Sequence, residues 1–202
     1  MVCDAAACFM NGSVHGEGMV NHVRNDDGEL MAVVMVPTGW HKGSKGDWKA
    51  TVGTPVDFSK YSELTSDQLR WLNYAFPSGK ACIWATSKYT DWPQPGDSVW
   101  FHQDNYVIAL AEVHAAFETP ELAQALWRDI ESWQKGLPAD RSGWRYIFVF
   151  EDPEITVIPK SVIGPLVGHK ATDRWQGTRR LDEAQSNKLL SRLVRTILPE
   201  QP

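Results

Sequence analysis

The chain has 202 residues, 43% of them hydrophobic, with ten tryptophans and a net charge of −5, which allows one sizeable domain or a small pair and argues against indiscriminate coating of nucleic acid. No stretch nears the ~18 uninterrupted apolar residues of a membrane span, and no basic-then-apolar leader opens the chain, so a cytoplasmic protein without a membrane partner is expected. Cys3, Cys8 and Cys82 make no disulfide framework, and the first two lack a second Cys or His pair at zinc spacing, so neither a metal nor another cofactor is expected.

Residues 1–30 are rich in Gly, Asn and Asp without periodicity and read as an irregular arm; 31–198 read as one domain, and 199–202 as the start of a linker. Glu29 to Val36 predicts a strand ended by Pro37. The glycines, lysines and two tryptophans of Thr38 to Gly53 predict a long loop. Thr65 is an N-cap candidate for a helix carrying Leu69, Leu72 and Phe76 on one face, stopped by Pro77-Ser78-Gly79. Ala81 to Thr86 predicts a buried strand. Pro95-Gly96-Asp97 is a turn, and Ser98–His102 with Tyr106–Ala116 form a hairpin through Gln103-Asp104-Asn105. A helix follows from Pro120 to about Trp133, with Thr119 as its N-cap. Trp144 to Phe150 is a strand, Asp152-Pro153 turns it into Ile155–Ile158, and a short helix near Ser161 ends at Gly168. Asp182 to Leu198 predicts an amphipathic helix with Ala184, Leu189, Leu193, Val194 and Ile197 inward. Strands in the middle with helices between them define an α+β class with a strongly curved sheet or small barrel.

The catalytic patterns are missing: there is no G-x-S-x-G, glycine-rich phosphate loop, H-E-x-x-H or paired C-x-x-C. Glu151, Asp152, Glu154 and Lys160 gather at a strand turn and define a metal-dependent nuclease as one alternative, a solvated hairpin end as the other. His41, His102, His114 and His169 lie on different elements with no nucleophile nearby. Aromatic groups are better placed. Trp84 closes a strand and is followed by Thr86 and Ser87, so it is either a core residue or a plane that stacks on a base beside hydroxyls that read its edge. Trp144 or Tyr146 would supply a second wall, and Trp175-Gln176-Gly177-Thr178-Arg179-Arg180 would touch phosphates and a base edge, or else cap the terminal helix. From Lys160 onward the chain has eight Lys and Arg against four acids, a local basic surface on an acidic protein. Arg174, Arg179, Arg180, Lys42 and Lys45 are accordingly candidate backbone contacts, with Trp40 and Trp48 beside the lysines.

Ile83-Trp84-Ala85-Thr86-Ser87, then Pro95-Gly96-Asp97-Ser98-Val99-Trp100-Phe101-His102, then Val107 to Val113 with its Ala111-Glu112-Val113 ending, resemble the PUA superfamily and its EVE and YTH-like branch. The segment Trp144 to Phe150, through Gly168 and Trp175-Gln176-Gly177, is similar to EVE-like specificity modules of modification-dependent restriction enzymes. The resemblance spans Lys80 to Arg180 and leaves the part before Lys80 without a family pattern. It implies a PUA-like curved β-barrel with flanking helices, and an aromatic pocket that takes a flipped, methylated or hydroxymethylated base from double-stranded DNA. The pocket would use Trp84, Thr86, Ser87, Trp144, Tyr146 and Trp175; Lys42, Lys45, Arg174, Gln176, Arg179 and Arg180 would hold the backbone. No catalytic activity is then expected in this chain, and cleavage would fall to a fused or partner nuclease. An RNA-binding PUA-like protein acting on tRNA or rRNA is the alternative on the same fold.

Overall fold

The computed structural model describes residues 32–38, 44–86, 90–127, 144–170, 175 and 177–197, with backbone alone at 44–47 and 193–197. Among the described residues eight strands, β1 (Val33–Pro37), β2 (Val56–Asp57), β3 (Lys80–Thr86), β4 (Ser98–Gln103), β5 (Tyr106–Glu118), β6 (Tyr146–Phe150), β7 (Glu154–Pro159) and β8 (Arg179–Arg180), make one sheet. Its order is β2-β3-β6-β5-β4-β1-β8, with β7 paired to β5 off that path. Helices α1 (Ser44–Thr51), α2 (Ser66–Ala75), α3 (Pro120–Trp127), α4 (Lys160–Ile163) and α5 (Glu183–Ile197) flank it. Among the described residues no helix is long and apolar enough to cross a membrane.

The curvature comes from β5. Its 13 residues pair with β4 and β7 along the first part and with β6 along the last, and the register slips between Val107 and Ala109 and again between Val113 and Ala115. Such slips bend a strand and deepen its twist. The path nevertheless runs from β2 to β8 without closing, so the α+β, PUA-like fold implied by the sequence is realised as a curved, open sheet rather than a complete ring.

Alternation sorts the side chains into three apolar groups. Cys82 and Trp84 of β3, Phe148 and Phe150 of β6, and Val99 and Phe101 of β4 pack together with Val34, Val36 and Val52. Ala81, Ile83, Ala85, Ile147 and Val149 point the other way, under Leu72 and Phe76 of α2 and Leu122, Leu126 and Trp127 of α3. Val33, Met35, Trp100, Val107 and Leu110 form the third group beneath Ile163, Val167, Leu181 and Leu189.

Most predicted elements are found with small boundary shifts. The α2 N-terminus closes as a full capping box, Gln68 N–H to Thr65 Oγ1 at 3.2 Å and Thr65 N–H to Gln68 Oε1 at 2.9 Å. Asp104 takes φ of 49° in the β4–β5 turn, a left-handed conformation that Asp tolerates better than most residues. The expected helix from Pro120 is α3 as far as Trp127, and its last turns lie outside the described residues.

As expected, β1 ends at Pro37, which pairs with His102 of the parallel neighbour β4, while Thr38 N–H supplies the next bond to His102 O at 3.0 Å. Two expectations are corrected. The long loop over 38–53 contains α1: Trp48, Thr51 and Val52, at helical spacing, are turned inward, and this packing outweighs the poor propensity of Gly46. Ala184 is exposed; Ser186 takes the inward position instead and its Oγ accepts the Val33 N–H at 3.1 Å. The side chains of Leu193, Val194 and Ile197 lie outside the described residues.

Candidate functional site

Near its C-terminal end, β3 carries Trp84, opposite Phe148 of β6 and 1% exposed. Two half-buried indoles lean on it from different elements. Trp48 of α1 lies with its ring centroid 5.9 Å away at 62°, and Trp144, just before β6, lies 5.3 Å away at 53°. Below them Phe101 stands 4.9 Å from Trp48, and Trp127 stands 4.9 Å from Trp144, both edge-on. The result is an aromatic cluster whose floor is sealed and whose upper edge consists of two partly accessible rings. Such surfaces stack on flat rings with little sequence demand. The Nε1–H of Trp127 is buried there without a hydrogen-bond partner among the described residues.

Thr86 closes β3 beside this cluster. Its Oγ1 shares a 2.8 Å buried hydrogen bond with Thr178 Oγ1, and its carbonyl accepts the Arg145 N–H at 3.2 Å, which ties three chain segments together. Tyr146, buried, pairs across the sheet with Thr86 and packs against Trp92 at 4.9 Å, with the Arg145 guanidinium 5.8 Å from its ring centroid. Arg145 in turn pairs with Glu118 at 2.9 Å.

Trp175 looked exposed in sequence but is only 6% exposed, because Ile163, Val167, Leu181 and Leu189 form an apolar bay that receives it. It belongs to the group on the opposite side of β4 from Trp84, against His102 at 5.6 Å and His169 at 5.2 Å. Arg179 donates to His169 Nε2, and Arg180 holds Asp97 through both guanidinium nitrogens. The structure therefore brings Trp84 and Trp144 together, places Tyr146 beside Thr86 and Trp92, and sets Trp175 on the opposite side of β4. Ser87, Lys42, Arg174 and Gln176, and the side chain of Lys45, lie outside the described residues.

Electrostatics follow burial. Burial pushes the Asp97 carboxyl up, against the pull of the Gln94 N–H and of Arg180. Burial takes His102 down to about 3, helped by the charges of Lys160 and His169. The Cys82 thiol is pushed up to about 12 by burial first and Asp152 second. Glu151, Asp152 and Glu154 are exposed at the β6–β7 turn, and no group of three His, Cys, Asp or Glu among the described residues is placed to hold a metal ion.

The sequence places Trp48 only beside the candidate backbone lysines of a loop and does not single out Trp127. The spacing of Trp48, Thr51 and Val52 was the available signal for the first.

The curved open sheet, its PGD hairpin and its flanking helices define a PUA-like α+β fold. The N-terminal domain of Thermococcus gammatolerans McrB, a structure solved bound to m5C DNA, aligns with TM-score 0.59 and 15% identity over 83% of this chain and 99% of its own. The ASCH protein of Zymomonas mobilis aligns with TM-score 0.39 and 13% identity over 79% of this chain and 94% of its own. No protein-family model matches the chain, and no curated protein matches it in sequence.

Proposed function

We propose that this chain is a binding module for a modified base in double-stranded DNA, taken out of the helix into the aromatic cluster, and that it serves as the specificity part of a modification-dependent restriction system. The observation that carries this reading is the meeting of Trp48, Trp84 and Trp144, a buried ring between two half-buried ones, at the end of β3. A methylated base needs such surroundings: faces to stack on, and no water to lose. The likeness of fold to the McrB domain that was solved on m5C DNA supports the choice of ligand.

Trp48 and Trp144 would part to admit the base, and Trp84 would be the floor it meets. Extrusion costs a few kcal/mol and stacking returns about 1–3 kcal/mol per base, so phosphate contacts must supply the remainder. The basic excess from Lys160 onward is where these would arise. Thr86 would shape the pocket edge through its bond to Thr178.

The test is affinity for duplexes identical but for one methylated or hydroxymethylated cytosine, or one N6-methyladenine, at fixed salt, with structured RNA as competitor. Trp144→Ala and Trp48→Ala are expected to erase the preference for modified over plain DNA while the fold persists, and Trp84→Ala to do so with loss of stability. A folded Trp84→Ala or Trp144→Ala protein with undiminished preference overturns the stacking role. RNA that outcompetes modified duplex overturns the choice of DNA.

A further inference from the structure

We propose that Lys160, His169, Arg179 and His102, arranged around Trp175, form a phosphate-binding site on the side of β4 opposite the tryptophan cluster. As a site for a free anion it stands independently of the base-recognition reading; as a site for a nucleic-acid backbone it deepens that reading. Four elements converge there: β4 brings His102, the start of α4 brings Lys160, the turn after Gly168 brings His169, and β8 brings Arg179.

Trp175 is the common wall. The Lys160 Nζ lies 5.3 Å from its ring centroid, His169 lies tilted against it at 5.2 Å and 32°, and His102 meets it edge-on at 5.6 Å and 83°. The three polar groups at the rim, Lys160, His169 and Arg179, are half-buried, whereas His102 forms the floor at 2% exposure.

The second, independent observation is at that floor: His102 Nε2 is buried with no hydrogen-bond partner among the described residues, an arrangement proteins rarely leave unless something else fills it. Lys160 commits one N–H to the Asp104 carbonyl at 2.5 Å and has two more to give; Arg179 has donors beyond the one spent on His169. Asp97, at the other end of β4, is taken by Arg180. Lys160 and Arg179 thus bring N–H donors from two elements to the edge of an apolar wall. A tetrahedral oxyanion satisfies such a set, whereas a planar carboxylate is better served by a guanidinium fork.

The phosphate could come from a nucleic-acid backbone or from a free phosphate or phosphomonoester, and two arms separate them. In the first, inorganic phosphate is titrated into the whole chain while the histidine ring carbon–proton signals are followed by NMR, with chloride as the control. Saturable movement of the His102 and His169 signals is expected, weakened roughly tenfold in Lys160→Met and in Arg179→Met, the loss of one charge-assisted bond. Movement that does not saturate, or that is the same in both variants with the tryptophan signals unchanged, overturns the site. In the second arm, a backbone source predicts that Lys160→Met weakens plain and modified duplex equally and lowers the salt slope by about 1. Unchanged duplex affinity beside saturable phosphate binding assigns the free anion. The ratio of modified to plain affinity is indifferent to this site, so its failure and that of the base pocket are read separately.

Discussion

Replacing Arg180 by Leu tests whether this arginine supports the fold rather than a ligand. Asp97 is 4% exposed at its side chain and Arg180 is 34% exposed. The carboxylate accepts from both guanidinium nitrogens, from the Gln94 N–H at 2.7 Å and from the Ala32 N–H at 3.3 Å. The leucine strands a buried charge, which ordinarily costs about 3–5 kcal/mol. Water reaches Arg180 and the two backbone donors persist, so the expected loss is nearer 2–3 kcal/mol, or a Tm lower by roughly 4–12 °C for a chain of this size. Urea unfolding measures it.

The pH dependence carries the sign. Burial already raises the Asp97 carboxyl in the folded protein, and removing Arg180 raises it further, so the variant takes up a proton on folding over a wider range above the unfolded value. Its deficit against the parent should therefore be fullest near neutrality and shrink as the pH falls through the folded carboxyl's range. Asp97→Asn combined with Arg180→Leu should recover much of the loss. A cost below about 0.5 kcal/mol, the ordinary range of surface substitutions, or a deficit that grows on acidification, refutes the reasoning. A structural Arg180 further means that duplex affinity, measured where both proteins are folded, changes little.

Trp84→Ala should cost about 3–5 kcal/mol of stability, the range for a buried tryptophan, whereas the half-buried Trp144 should cost less when truncated; thermal melts of the two variants compare them. Thr86→Val and Thr178→Val should each lose about 1 kcal/mol in denaturant titrations, and the double variant less than their sum, because one 2.8 Å bond serves both. Cys82, buried and with its thiol held near 12, should resist iodoacetamide at pH 8 in the native protein and react once unfolded, as peptide mapping would reveal.

Local signals carried much of the fold. The capping box at Thr65, the β4–β5 hairpin and the β3 and β6 strands are written in spacings of a few residues, and the structure keeps them. The pairings that bend the sheet were not legible, because nothing in β1 announces that it lies parallel to β4 some sixty residues later. At the site, Trp84 and Trp144 were visible as strand-end aromatics. Trp48 was not, since four glycines in its neighbourhood spelled a loop and only its burial against Trp84 and Phe101 makes the helix worthwhile. Trp175 misled for the converse reason: a polar, basic loop sequence says nothing of the apolar bay that distant helices prepare for it.

The placement of β1 bears on how the molecule is made. It lies between β4 and β8, with Val34 paired to Val99 on one side and to Arg180 on the other, while Leu181 N–H and Ser186 Oγ also bond to Val33. A strand that leaves the ribosome before β4 and long before β8 must thus wait for β8 before its second edge is covered. Closing loops of this length is slow even when it costs little in free energy. During that interval an apolar strand with free N–H and C=O groups is open to wrong partners. Hydrogen exchange pulsed during refolding should find the β1 amides protected last, in step with α5 and well after the β4–β5 hairpin.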